Sequence, residues 1–211
     1  MDVRHFHSGR YEEACDLVKR FHYSRRVPTN VQFVGTLHQD GGLFGDFGPA
    51  VAACFFSIPP TRWAEPVLEL SRLVRSSDMT PLTPLIARCC DALKKAGHDL
   101  LVSFADKTHQ HHGGVYQAAS WHYAGARERS MDGVVVGSSF IPGRSCNQKW
   151  GTRSPEKLRN ILRQDVQPHY DEGKHLYFRA LGSRGKAKAA RLGLVAMPYP
   201  KPHRMMQEAA E

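Results

Sequence analysis

The sequence has no apolar run long enough to cross a membrane, and its first residues, MDVRHFHSGRYEE, lack the apolar stretch of a secretory leader. A soluble protein of the cell interior is the expectation. No C-x-x-C pair occurs, and the five cysteines, Cys15, Cys54, Cys89, Cys90 and Cys146, are odd in number. That argues against a zinc ribbon or finger. Cys54, Cys89 and Cys90 sit in apolar patterns and read as buried small residues, suited to a reducing compartment. There is no internal repeat and no low-complexity linker. Apolar residues make up 41% of the 211, so a disordered chain is excluded and one domain with a real core is expected.

Acidic charge is scarce, but only in the last third. Residues 1–140 carry 15 Lys and Arg against 14 Asp and Glu, a net +1. Residues 141–211 carry 14 against 6, a net +8. An excess so concentrated suggests a polyanionic partner, nucleic acid first; a solvated basic surface is the plainer reading.

The patterns predict mixed α and β structure. Ser8 can cap a first helix with Tyr11, Ala14, Leu17, Val18 and Phe21 on one face. Strands are expected at 31–38, 50–58 and 67–74, with turns at Asp40-Gly41-Gly42 and 45–49. Leu82, Leu85, Ile86, Cys89 and Leu93 recur at helical spacing, and Gly97 stops that helix. Leu100 to Ala105 is a short buried strand. A helical pattern then carries Val115, Ala118, Ala119 and His122 around Tyr116 and Trp121. Val134 to Ile141 reads as one strand. Ser154-Pro155-Glu156 opens another helix with Leu158, Ile161, Leu162 and Val166 behind it. His175 to Leu181 is a last strand, 184–191 a basic helix or arm, and the tail is loosely ordered. The domain reading is 1–182, including a basic helical insertion at 142–170, followed by a basic arm and tail at 183–211.

The most informative stretch is DLLVSFADKTHQHHGGVYQAASWHYAG, residues 99–125. A buried strand ends on Asp106, a polar knot follows, and two glycines precede a helix; α/β proteins place chemistry at such strand ends. Asp106 suits a base or a metal ligand, or simply caps the next turn. His109, His111 and His112 can supply a ligand, meet phosphate or lie in solvent. His22 can be a base or a ligand, Tyr23 a ligand or a stacking surface, and Arg25 and Arg26 phosphate clamps. The plain alternative is a helix end with a packed histidine and solvated arginines. Trp63 and Trp121 read as core. Lys174, Arg179, Arg184, Lys186, Lys188 and Arg191 read as non-specific backbone contacts.

The element order resembles the GCN5-related N-acetyltransferase (GNAT) fold, an α/β (α+β) domain with a mixed central sheet flanked by helices. More closely, FHYSRR at 21–26, ELSRLVR at 69–75 and SFADKTHQHHGGVYQAASWHYAG at 103–125 resemble the phage Mom DNA-modification proteins, supported by KHLYFRAL and PYPK near the C-terminus. That resemblance implies N6-carbamoylmethylation of adenine in duplex DNA, which shields phage DNA from host restriction in the bacterial cytoplasm. It implies Tyr116 beside a leaving thiolate or a flipped base. It also implies iron held by His22, Tyr23 and Asp106, and Ser71 and Arg72 on the strand that binds an acyl group. The chain departs from ordinary acetyltransferases at RSSDMTPLTP, which has no glycine where their loop cradles a coenzyme pyrophosphate. Ser76, Ser77 and the following helix amides are the substitutes, and Asp78 repels a phosphate unless it caps the helix. Acetyl-CoA is the implied cofactor.

Two rivals stand beside DNA modification: a conventional acetyltransferase acting on a protein or small amine, and a non-catalytic DNA-binding protein on the same fold. A dimer is one option that the sequence leaves open.

Overall fold

The computed structural model describes residues 4–39, 47–60 and 62–200. The turn expected at 40–42, the first two residues of the one expected at 45–49, and the tail beyond 200 lie outside them. Ten strands and six helices follow in chain order: β1 (Arg4–Ser8), α1 (Tyr11–Phe21), β2 (Val31–Gln39), β3 (Ala50–Ser57), β4 (Leu68–Arg75), α2 (Thr83–Lys95), β5 (Leu100–Asp106), α3 (Gly114–Ala118), β6 (His122–Arg127), β7 (Met131–Val136), β8 (Ser139–Pro142), α4 (Gly143–Trp150), α5 (Pro155–Leu162), β9 (Val166–Tyr170), β10 (Lys174–Ala180) and α6 (Ser183–Arg191). A seven-stranded mixed sheet runs β1-β2-β3-β4-β5-β10-β6, and a three-stranded sheet runs β8-β7-β9. The chain divides into two compact units: unit 1 is 1–104, 113–125 and 176–211, and unit 2 is 105–112 and 126–175.

In unit 1 the sheet is buried on both faces at its centre, which is why β3, AVAACFFS, is apolar without alternation. Helix α1 covers one face, with Ala14, Leu17 and Val18 against Val34, Ala53, Phe55 and Val74. Gly35 and Cys54 belong to the other face, where Cys89 of α2 approaches so closely that a Cβ on Gly35 would lie 2.4 Å from its sulfur. Burial, and then a hydrogen bond to Cys89, pushes the Cys54 thiol well above its usual range. All five cysteines are free and buried. A further cluster joins Val67, Leu100, Val102, Leu176 and Phe178 to Ala189 of α6.

Unit 2 has its own core, Val134, Cys146, Leu158 and Val166, where α4 and α5 cover one face of the small sheet. Its start and end are tied together. The backbones of Asp171 and Ser130 meet at 2.9 Å, and the buried Asp171 carboxylate accepts from the Ser130 and Gly173 amides.

Four expectations need correction. Ser8 lies in β1 and does not cap α1, whose N-cap is Arg10 without a side-chain cap. The helix near Val115 stops at Ala118, because Ser120 turns the chain at φ 59° and His122 opens a strand. The 134–141 strand is a hairpin, with Gly137 at φ 60° supplying a turn that few other residues make cheaply. Val166 lies on β9, not behind α5. The Ser154-Pro155-Glu156 helix start is as expected, with Ser154 Oγ accepting from the Lys157 amide.

Candidate active site

The feature that organises unit 1 is a split in the sheet. Strands β4 and β5 run parallel, but their register pairs only Leu68 with Leu101 and Glu69 with Val102. Beyond those pairs Ser103 Oγ reaches across and donates to Leu70 O at 2.8 Å.

Tyr116, on α3, belongs to this neighbourhood. Helix α3 begins after Gly113, which sits at φ +79°, where a Cβ would fall 2.3 Å from the Tyr177 ring. That glycine therefore allows Tyr177 and Tyr116 to pack at 5.2 Å between centroids, with Trp121 5.6 Å from Tyr116 on another side. Tyr116 is only 8% exposed. Burial pushes its phenol up to about 12, and Cys54, Tyr23 and Glu69 add to the rise, while a hydrogen bond with Ser103 opposes it. Tyr116 is thus a neutral hydrogen-bond donor at any physiological pH. The Trp121 indole nitrogen is buried without a partner among the described residues.

Sequence reasoning missed Glu69 and Ser103 as site residues. A signal was present: Glu69 is a half-buried carboxylate between the buried Leu68 and Leu70.

Tyr23 approaches Tyr116 closely enough to act on its titration. It is 54% exposed, and its ring lies 4.4 Å from that of His22 at 31°. The segment 22–26 is tightly wired. The Ser24 amide donates to His22 Nδ1 at 3.1 Å, and the Ser24 hydroxyl meets the same nitrogen at 3.0 Å. Arg72 Nε donates to Arg26 O at 3.1 Å, tying the segment to β4. Arg25 holds φ 48° and, like Arg26, is exposed.

This geometry bears on iron. Because Nδ1 accepts from a fixed backbone amide, the proton of the neutral ring belongs on Nε2, and neither nitrogen presents a lone pair to a metal. Among the described residues there is no group of three or more His, Cys, Asp or Glu that could hold a metal. The amide at His22 Nδ1 is the observation against a metal there, and no step is routed through a metal.

The acyl-group strand is also committed locally. The Ser71 hydroxyl donates to Phe55 O at 3.2 Å and meets Ser57 Oγ at 2.8 Å, and Arg72 Nη1 donates to Ser71 O at 2.6 Å. The Ser76 amide donates to Val51 O, and so is not available to a phosphate. Asp78 does not cap α2. Its carboxylate is neutralised by Arg75 at 2.7 Å, and that arginine also holds Asp78 O at 2.8 Å. Helix α2 starts with no side-chain cap and no acid in its first turn, and Ser77 stands in the loop before it. An uncapped helix start beside parted strands fits a pyrophosphate even without glycines.

In unit 2, Asp106 caps the short turn Lys107–His109, its Oδ1 accepting from the Thr108 amide at 3.0 Å. Burial, and then His109, holds the His111 imidazole below its usual value. Burial, and then Lys107 and His112, does the same to His175. These rings favour the neutral form.

The expected phosphate contacts separate by company. Arg184 and Lys188 pair with Asp99 at 3.1 and 3.4 Å, and Arg191 grips Glu65 at 2.6 and 2.8 Å. Arg179 donates to Ser120 O, and Lys174 lies 3.8 Å from Asp171. Lys186 is exposed.

Residues 6–201 match the Mom protein family. No curated protein matches the chain. Among solved structures, YncA of Salmonella typhimurium, determined with its cofactor acetyl-CoA, is 10% identical, covering 86% of this chain and 96% of its own at a TM-score of 0.50. An acetyltransferase described as probable, from Staphylococcus epidermidis, is 9% identical, covering 84% of this chain and 99% of its own at 0.50. At such identities the likeness shows the acetyltransferase fold alone.

Proposed function

The chain belongs to the Mom protein family, and from that premise we propose that it is a transferase of duplex DNA that converts adenine to N6-(carbamoylmethyl)adenine, protecting phage DNA from restriction. The observation that carries this reading is the family match across nearly the whole described chain. The parted strands beside Tyr116 give the reading a place for chemistry.

Adenine N6 is a weak nucleophile, because its lone pair is delocalised into the ring. It must be taken out of the stack, held in place and relieved of a proton. Tyr23 over His22 offers an exposed aromatic surface for an extruded base. Glu69, half-buried on β4 and one of the charges that raise the Tyr116 phenol, is the carboxylate assigned to accept the N6 proton. Tyr116 donates a hydrogen bond to the departing group. Full proton transfer from a phenol near 12 to a thiolate of ordinary pKa, about 8.5, would run uphill by roughly 5 kcal/mol, so hydrogen bonding is the assigned role. Asp106, in unit 2, is assigned to substrate positioning. Acetyl-CoA, if it binds, would be held by Ser77 and the Thr83 and Leu85 amides at the start of α2, Pro84 having none, and the acyl group it supplies would serve the second reading below and not the N6–methylene bond of carbamoylmethylation.

The second reading, a conventional acetyltransferase, is favoured by that uncapped helix start. Product mass separates the two. Carbamoylmethylation joins N6 to a methylene carbon, whereas simple acyl transfer joins the amine to a carbonyl carbon. The test is mass spectrometry of nucleosides from DNA of cells expressing the protein, beside D106A and Y116F. Deoxyadenosine heavier by one carbamoylmethyl group, lost in folded variants, is expected. Unmodified DNA from cells holding folded wild-type protein would overturn the reading.

A further inference from the structure

Two segments of the last third of the chain are basic, and the structure gives them different company. In α6, three of four cations are paired with Asp99 or Glu65 of the same unit. Residues 143–163 carry six cations, Arg144, Lys149, Arg153, Lys157, Arg159 and Arg163, against the single Glu156, a net +5. All six are exposed. Arg159 lies 3.6 Å from Asp165, and for the other five there is no ion pair within 4.0 Å among the described residues.

The packing of unit 2 explains why these charges face outward. Cys146 of α4 and Leu158 of α5 lie against Val134 and Val166, with Trp150 and Leu162 at the edge of the same core. Arg144 and Lys149 lie on α4 and Lys157 and Arg159 on α5, Arg153 stands in the loop between the two helices, Arg163 caps the end of α5, and Lys149 lies over the Trp150 ring at 4.8 Å. Five like charges so close together, with a screening length of about 8 Å, repel one another, and a polyanion relieves that repulsion. Each helix has eight residues and so is about 12 Å long, a distance along which duplex DNA presents about seven charges.

We propose that α4, α5, the loop that joins them and the cap that ends α5 form the surface that grips the phosphate backbone of duplex DNA, and that α6, despite its charge, does not. The proposal rests on the DNA-modification reading above and adds where the substrate is held. The contacts are to phosphates, so the grip carries affinity and no sequence preference.

The test uses the full chain and a short DNA duplex, with affinity measured across a range of salt. Wild-type binding is expected to weaken steeply with salt. R153Q/K157Q/R163Q should bind about a hundredfold more weakly at low salt, with a log–log salt slope shallower by about 2 to 3. R153K/K157R/R163K should bind as wild type does, which separates charge from fold. R184Q/K186Q should stay within about twofold of wild type. Salt-dependent wild-type binding that the triple Gln variant leaves intact, or that R184Q/K186Q removes, overturns the proposal and leaves the DNA reading standing. Loss of binding in the charge-preserving variant also overturns it. If the wild-type chain binds no duplex, both fall.

Discussion

Tyr116, a phenol buried among aromatic rings, is the most informative residue in the molecule. Tyr116 is neutral because its surroundings desolvate it, and it is fixed in place by rings on two sides. Y116F keeps the packing and removes the donor. Modification of DNA should fall about a hundredfold or more while the circular dichroism spectrum stays unchanged. The same burial has a consequence for stability. An unfolded chain ionises this phenol near 10.0, and the folded one near 12. The contribution of Tyr116 to stability is therefore whole below pH 10 and lost as pH rises from 10 towards 12, by at most roughly 3 kcal/mol. Denaturant midpoints measured across that range should fall less steeply in Y116F than in wild type. Tyr116 and Asp106 were legible as candidates in the sequence. Glu69 and Ser103 were not, because their importance comes from the Tyr116 phenol across the split, 47 and 13 positions along the chain.

At the scale of elements, charge read from the sequence did not say which cations are paired within the fold. RGKAKAAR looks like a free basic arm, yet α6 is docked. Its Gly185 lies so close to β5 that a Cβ would sit 2.0 Å from Asp99 O, and Ala189 joins the core. Lys188, only 14% exposed at its side chain, serves Asp99 and Pro66 O. G185V should force α6 off this seat, destabilising the protein by about 1–3 kcal/mol, read as a lower urea midpoint, with earlier proteolytic cleavage near residue 182. Strand and helix positions with strong apolar patterns were legible: β2, β3, β4, α2, β5 and α5. What was missed had weak patterns or depended on a turn. GRSCNQKW has only Cys146 and Trp150 to mark an inward face, and the hairpin at Gly137 hides inside one apolar run.

For the molecule as a whole, two cores are closed separately. The clusters around α1 and α6 draw only on unit 1, and the Val134 cluster only on unit 2. The two ends of unit 2 are joined by Asp171 and Ser130. Replacing 131–170 by a short Gly/Ser linker should leave unit 1 folded, with one cooperative thermal transition and native near-ultraviolet dichroism. Duplex binding should be lost, since α4 and α5 go with the excised segment. No helix among the described residues is long and apolar enough to cross a membrane.

The sequence alone determined the mixed α/β class, the buried strands, the free cysteines and the family, because these depend on local periodicity and on motifs that lie together in the chain. The tertiary structure decided which cations of the last third are paired and which groups surround the Tyr116 phenol. It also set the backbone donor that faces His22 Nδ1. Each of those is set by partners distant in sequence or by a backbone turn: Asp99 for α6, a two-residue pairing of β4 with β5 for Glu69, and the Ser24 amide for His22. A charge or a ring acquires its function from what stands within a few ångströms of it, and composition does not record that distance.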